Sequence, residues 1–192
     1  MDENKIKWEE VKKYSHGCEK HRHVLARCWN ETAPAAICIG LNPSTADIQK
    51  EDPTTRKIIK ILDYNGYGSF AIVNLFHNIS PDPSLINEED FDDVYLRGLN
   101  AYFPDCDIIY MWGAKEELYA WRTEMIKDIC YTRGGDILCF GKTKKGYPKH
   151  PLYLSNKTKL EKYESNQDVQ ASDLDERDSK ENNKGIQKES KK

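Results

Sequence analysis

Nowhere in this sequence is there an apolar run approaching the ~20 residues that a membrane-spanning helix requires. Nor does a basic stretch followed by a short apolar one open the chain, so no secretory leader is expected. A glycine-rich fingerprint is missing after every apolar run, which disfavours a dinucleotide-binding domain. The six cysteines, Cys18, Cys28, Cys38, Cys106, Cys130 and Cys139, match no zinc spacing. Three of them lie inside apolar strand-like runs, where Cys acts as a small hydrophobe. The stretch from His16 through Cys18 and His21 to His23, with Cys28 beyond, invites a metal reading, but its spacing is equally non-standard. These absences predict free thiols in a reducing cytoplasm, with no metal and no cofactor. From Glu164 to Lys192 aromatic residues are lacking and apolar ones nearly so, while eight acids face six bases. Such a segment cannot bury enough surface to offset its ordering entropy. A disordered charged tail over 164–192 is expected, after a single working domain over 1–163.

What the sequence does contain is regular. Four short apolar runs end in polar or glycine-containing loops: "AAICIGLN" (35–42), "SFAIVNLF" (69–76), "DIIYMWG" (107–113) and "DILCFGK" (136–142). They are too short for helices and nearly continuous in apolar character, as strands buried on both faces are. Segments with helical spacing lie between them. "DPTTRKIIKILDYNG" opens with Asp-Pro and stops at Gly66. "NEEDFDDVYLRGLNAYF" and "KEELYAWRTEMIKDICY" follow. The alternation predicts an α/β domain, a three-layer α/β/α sandwich around a mainly parallel four-stranded sheet. A further strand, "HRHVLARCWN", is expected at an edge, paired with the first core strand.

In open α/β sheets ligands sit at the carboxyl ends of the strands. The polar residues leaving those ends are therefore the site candidates: Asn42 to Thr45, Asn74 to Asn78, Trp112-Gly113 and the loop from Lys142 to Ser155. The chain carries a net charge of only −3, yet the stretch from Lys142 to Lys162 holds seven lysines and one glutamate. A local patch of that kind can grip phosphates even on a domain that is not basic overall. A solvated loop is the plain alternative.

Taken in order, "IGLNPS", "VNLFHN", "YMWG" and "HPLYLS" resemble the signature motifs of the uracil-DNA glycosylase superfamily. "IGLNPS" is similar to the G-I-N-P form of the mismatch-specific branch, and "HPLYLS" to the family's H-P-x-x-L-S loop. The strings "GLNPSTAD" and "HPLYL" also resemble an uncharacterised bacterial and phage family placed near that superfamily. The resemblance runs from about residue 35 to 155. It implies a DNA N-glycosylase, which hydrolyses the bond between a flipped-out base and its sugar and leaves an abasic site.

The resemblance also implies roles. Asn42 would place the attacking water beneath the anomeric carbon; capping the next turn is its alternative. Asn74 would read the base edge, with Phe76 and His77 beside it in the base pocket; a structural strand-end amide is the alternative. His150 would donate to a carbonyl oxygen of the departing base, where negative charge develops; a phosphate contact or an exposed loop histidine is the alternative. Leu154 holds the place of the intercalating residue, a role Leu152 and Tyr153 could share; simple packing on the domain is the alternative. Lys142, Lys144, Lys145 and Lys149, with Ser155, would hold flanking phosphates. Two departures bear on the substrate. Where the uracil-specific branch carries a tyrosine that blocks C5 substituents, this chain has Ser44 and then Thr45. Room at C5 favours a modified pyrimidine, up to a hypermodified phage cytosine, over plain uracil. Tyr153 is bulkier than the residue usual there. Asp47 could act as a base or bind a sugar hydroxyl, and Arg56 could contact phosphate, whereas Asp52 reads as a helix cap.

The expected partner is DNA, with no membrane partner, for a monomer acting in repair or against phage. Two other classes stay open: a hydrolase or transferase on free nucleosides or nucleotides, and a non-catalytic nucleic-acid-binding protein.

Overall fold

The computed structural model describes residues 6–43, 52–80, 82, 85–86, 93–115, 119–131 and 134–163. The chain divides into a compact unit, Met1–Lys162, and a second segment, Tyr163–Lys192. The expected tail thus lies outside the described residues, as do Ser44, Thr45 and Asp47.

The compact unit is α/β. Its strands are β1 (Lys12–Gly17), β2 (Arg22–Cys28), β3 (Ala35–Gly40), β4 (Ser69–Asn74), β5 (Asp107–Tyr110), β6 (Ile137–Cys139) and β7 (Glu161–Lys162). Its helices, among the described residues, are α1 (Pro53–Tyr64), α2 (Val94–Tyr102) and α3 (Ala120–Tyr131). The strands form one mixed seven-stranded sheet in the order β1-β2-β4-β3-β5-β6-β7. This corrects the expectation of four strands plus one at an edge. The four apolar runs lie side by side and parallel as β4, β3, β5 and β6. Antiparallel strands extend the sheet at both ends. The expected edge strand is β2, and it is interior: it pairs with β4 rather than β3, and β1 covers its outer side.

Helix α1 illustrates how local chemistry sets an element. Asp52 caps it, its carboxylate accepting from the Thr55 N–H at 2.5 Å, and Pro53 takes the first helical position. At the other end Gly66 adopts φ 88°. There the Gly66 N–H donates to Asp63 and the Tyr67 N–H to Leu62, the paired bonds of a Schellman stop. Between these ends Ile58, Ile59, Ile61 and Leu62 are buried against Ala36, Cys38, Phe70, Ile72, Ile109 and Met111. Burial of each such side chain contributes roughly 1.5–3 kcal/mol. Period-2 alternation turns Ile37 and Ala71 to the opposite face, where they share a cavity with Leu99 and Phe103 at the α2 end. Helix α3 packs beside α2, with the Asn100 amide donating to the Ile129 carbonyl at 3.1 Å.

Chain order reverses at β3. It runs from β3 through α1 to β4 on one side, then crosses back to β5 on the other. The loops leaving β3 and β5 therefore part, and the crevice between them is where such sheets bind ligands.

Candidate functional site

A cavity of about 620 Å³ opens at that crevice, within the usual range of ligand sites, about 300–1,000 Å³. Each of the five central strands contributes to it. Gly40, Leu41, Asn42 and Pro43 come from the end of β3, Asn74 ends β4, and Met111 to Ala114 follow β5. His150 comes from the loop after β6, and Arg22 opens β2. The first turn of α1, with Asp52, Thr54 and Thr55, forms another wall.

The floor is built by register. Gly40 pairs with Asn74 in the parallel ladder, and alternation puts both, with Met111, on the α1 face. A Cβ on Gly40 would stand 2.6 Å from the Asn74 Oδ1 and 3.3 Å from the Met111 Cε. The amide of Asn74 therefore lies directly over Gly40. Asn74 is only 8% exposed, and its amide has no hydrogen-bond partner among the described residues. Open to the cavity, that amide can take its partners from a ligand or water there.

Asn42 is held differently. Its Nδ2 donates to the Ser80 carbonyl at 2.8 Å and to the Pro43 carbonyl at 3.2 Å. The Ser80 N–H in turn donates to the Pro43 carbonyl. With Nδ2 engaged, Oδ1 is the side-chain group left to accept from a molecule in the cavity.

His150 sits over the end of β5: its Cβ would lie 3.6 Å from a Cβ on Gly113, whose φ of 80° turns the chain there. Its Nδ1 accepts from the Leu152 N–H in a long bond of 3.4 Å. That bond favours the neutral tautomer with the proton on Nε2, a donor. Although the residue as a whole is exposed, desolvation of the ring pushes its pKa below 6.5, partly opposed by the Asp52 carboxylate.

The loop that carries His150 is a hairpin from Gly141 to Lys149, closed by bonds from Thr143 N–H to Tyr147 and from Lys149 N–H to Gly141, both 2.8 Å. Lys144 and Lys145 are exposed near its tip, while Lys142 and Lys149 are half-buried. Beyond His150, a 3-10 turn over Pro151–Tyr153 leaves Tyr153 92% exposed, Leu152 half-buried and Ser155 exposed.

Several expected site residues lie elsewhere. Leu154 is partly buried against the core, and its carbonyl accepts from the Lys57 Nζ at 2.8 Å. It anchors the loop and does not project from it. Phe76 is fully buried, edge-on to Tyr119 at 4.9 Å. His77 is buried too, its Nδ1 3.1 Å from that of His23, and neither residue lines the cavity. Past the β4 end the chain leaves the ladder and turns to pair with residues 20–22, which carries these side chains away from the rim. Arg56 lies outside the cavity, its guanidinium 5.3 Å from the centre of the Trp8 ring. Cys18 and His21 face each other at 3.4 Å in the β1–β2 turn, and His16 packs on His23 and Tyr95.

Arg22 is the charged lining residue that sequence reasoning passed over, and Leu25, Gly40, Ile72 and Met111 are apolar or small ones it also missed. For Arg22, a charged residue at the very start of a largely buried strand was the signal, and placing that strand at an edge next to β3 hid it.

A model of the family described as a protein of unknown function, DUF1643, matches residues 22–152. The chain belongs to the DUF1643 family. The DUF1643 segment begins at Arg22 and ends at Leu152, so it encloses every residue that lines the cavity. No curated protein and no solved structure matches the chain.

Proposed function

We propose that this DUF1643 protein is a DNA N-glycosylase, of the uracil-DNA glycosylase type within a three-layer α/β fold, that excises a C5-modified pyrimidine. The observation that carries the reading is that Asn42, Asn74 and His150 line one cavity, with the Asn74 amide open to it and making no hydrogen bond among the described residues. A flipped-out pyrimidine offers the donor and acceptor that such an amide lacks. The Asn42 Oδ1 accepts from a water and holds it beneath the anomeric carbon. The water oxygen bonds to that carbon as the bond to the ring nitrogen breaks. The electron pair leaves on the base, and the water proton passes to solvent. A neutral amide is a poor base, so stabilising the departing anion must supply much of the barrier reduction. The His150 Nε2–H can donate to a base carbonyl, worth more in the transition state than in the ground state.

Outside the cavity, the exposed Tyr153 ring offers a stacking surface at the mouth, and Lys144 and Lys145 add exposed positive charge near the loop tip that suits phosphates. DNA is the partner in this reading, the cytoplasm its compartment, and repair or defence against phage with modified DNA its setting. The 620 Å³ cavity favours one second reading, since it has room for more than a bare base: hydrolysis of a free nucleoside.

The test is incubation with genomic DNAs of different base chemistry, scored for alkali-labile sites. Sites are expected in DNA with substituted pyrimidines. Asn42→Ala should lower their formation by about 10²-fold or more while DNA binding persists. A wide preference for plain uracil would end the C5 assignment. Cleavage of free nucleosides without abasic sites in DNA would establish the second reading instead.

A further inference from the structure

Arg22 and His150 stand at opposite ends of the cavity, and pyrimidine chemistry says what each end meets. His150 lies over Gly113, just past β5. Arg22 opens β2, where its N–H donates to the His77 carbonyl at 2.9 Å beside the end of β4. The order β2-β4-β3-β5 puts three strand spacings between these positions, roughly 14 Å at about 4.8 Å each. Asn74 and Gly40 lie between them. In a pyrimidine ring C2 and C5 are para to each other. A base whose O2 takes the His150 proton therefore points its C5 group away from His150, across Asn74 and toward β2. There it first meets Leu25 and Ile72, which pair in register and line the same cavity. Arg22 comes next. It is 8% exposed and carries a permanent charge with five donors in a planar fork, enough to hold a protein group and a ligand oxygen together. Asp52, the one acid lining the cavity among the described residues, caps α1 and acts on His150, so it belongs to the other end.

We propose that Arg22 selects the C5 substituent: the group crosses the apolar step at Leu25 and Ile72 and ends in oxygens that accept from the guanidinium. Sugar hydroxyls and a carboxylate share that chemistry. This inference rests on the glycosylase reading and adds its specificity residue.

The experiment compares kcat/KM on duplexes carrying thymine, hydroxymethylcytosine, its glucosylated form and carboxycytosine. The native protein should prefer an oxygen-bearing substituent to the methyl of thymine, and the glucosylated and carboxylated arms tell hydroxyls from carboxylate. Arg22→Gln should reduce that preference by at least about tenfold, because a site built to donate rejects what lacks the acceptor. Should Arg22→Gln fail to fold, Arg22→Lys, which keeps the charge but loses the planar fork, should narrow the same preference. Equal excision of thymine and the oxygen-bearing bases overturns the proposal, as does a loss of the same factor on every substrate. Absence of abasic sites on all duplexes ends the proposed function instead. Melting shifts with free nucleosides then decide Arg22 alone. A larger shift with hydroxymethyldeoxycytidine than with thymidine, lost in Arg22→Gln, keeps the assignment, and equal shifts remove it.

Discussion

Replacing Gly40 by alanine probes the cavity floor with one methyl group. Gly40 carries no positive φ, so alanine fits its backbone and the effect is steric. The new Cβ would stand 2.6 Å from the Asn74 Oδ1, whereas ordinary contact begins at 3.4 Å. The amide must retreat by about 0.8 Å, into an off-rotamer position or out over the cavity. Overpacking of this kind costs about 1–3 kcal/mol, offset by about 0.5–1 kcal/mol for removing a glycine from a strand. A net loss of about 1–2 kcal/mol is expected, a fall of a few degrees in Tm for a domain of this size. Function should suffer more, because a misplacement near 1 Å can lower a rate by about 100-fold. The decisive assay is a double-mutant cycle in urea. Asn74→Ala removes the obstructing amide, so Gly40→Ala should destabilise the Asn74→Ala protein little or not at all. A coupling of about 0.5–3 kcal/mol is the range for such neighbours. If the two losses simply add, or Gly40→Ala leaves both Tm and activity unchanged, the close approach of Gly40 and Asn74 is wrong.

Further outcomes follow from the loop and the titratable groups. Tyr153→Ala should weaken DNA binding with little change in Tm, while Leu154→Ala should cost about 2 kcal/mol, the low end for a half-buried leucine; the reverse pattern would return the projecting role to Leu154. Because the folded protein resists protonating His150, the unfolded chain takes up more protons once pH falls below 6.5, and stability should drop there. Urea midpoints at pH 5 and pH 7.5 should differ less in His150→Gln than in the native protein, and an equal difference would refute it. Iodoacetamide should label Cys18 first, since its thiol is exposed and its pKa is lowered by the backbone N–H groups of Lys20 and His21. Buried Cys38, whose thiol is pushed strongly upward by desolvation, should react only on unfolding, and Cys139, pushed up to about 11, should lag as well. Mass spectrometry of the native protein showing Cys38 labelled as fast as Cys18 would contradict this.

The parallel strands were legible because burial on both faces writes a continuous apolar run, and α1 because Asp52-Pro53 and Gly66 mark its ends. The outer strands were not. β1 is exposed along nearly its whole length, so "KKYSHG" shows no apolar alternation, and β7 spans only Glu161–Lys162. Strand partners were also hidden, since the antiparallel pairing of β2 with β4 is a long-range choice that no local pattern encodes. In the site, Asn42, Asn74 and His150 could be found because each ends a buried run or follows one. Gly40 and Arg22 matter through neighbours distant in sequence. Leu154 shows the converse: an apolar residue in a loop carries no mark of whether it faces solvent or core.

One arrangement bears on how this protein can change. The segment after His150 is tied to α1 chiefly through main-chain atoms. The Lys57 ammonium reaches the Leu154 carbonyl, the Asn65 amide donates to the Thr158 carbonyl, and its oxygen accepts from the Leu160 N–H, at 2.8 to 3.1 Å. Such ties do not read side-chain identity. Substitutions at Leu152 and Tyr153 can alter what the mouth touches while the course of the chain stays put, so diversity in target choice is open to drift at these two positions without a new scaffold.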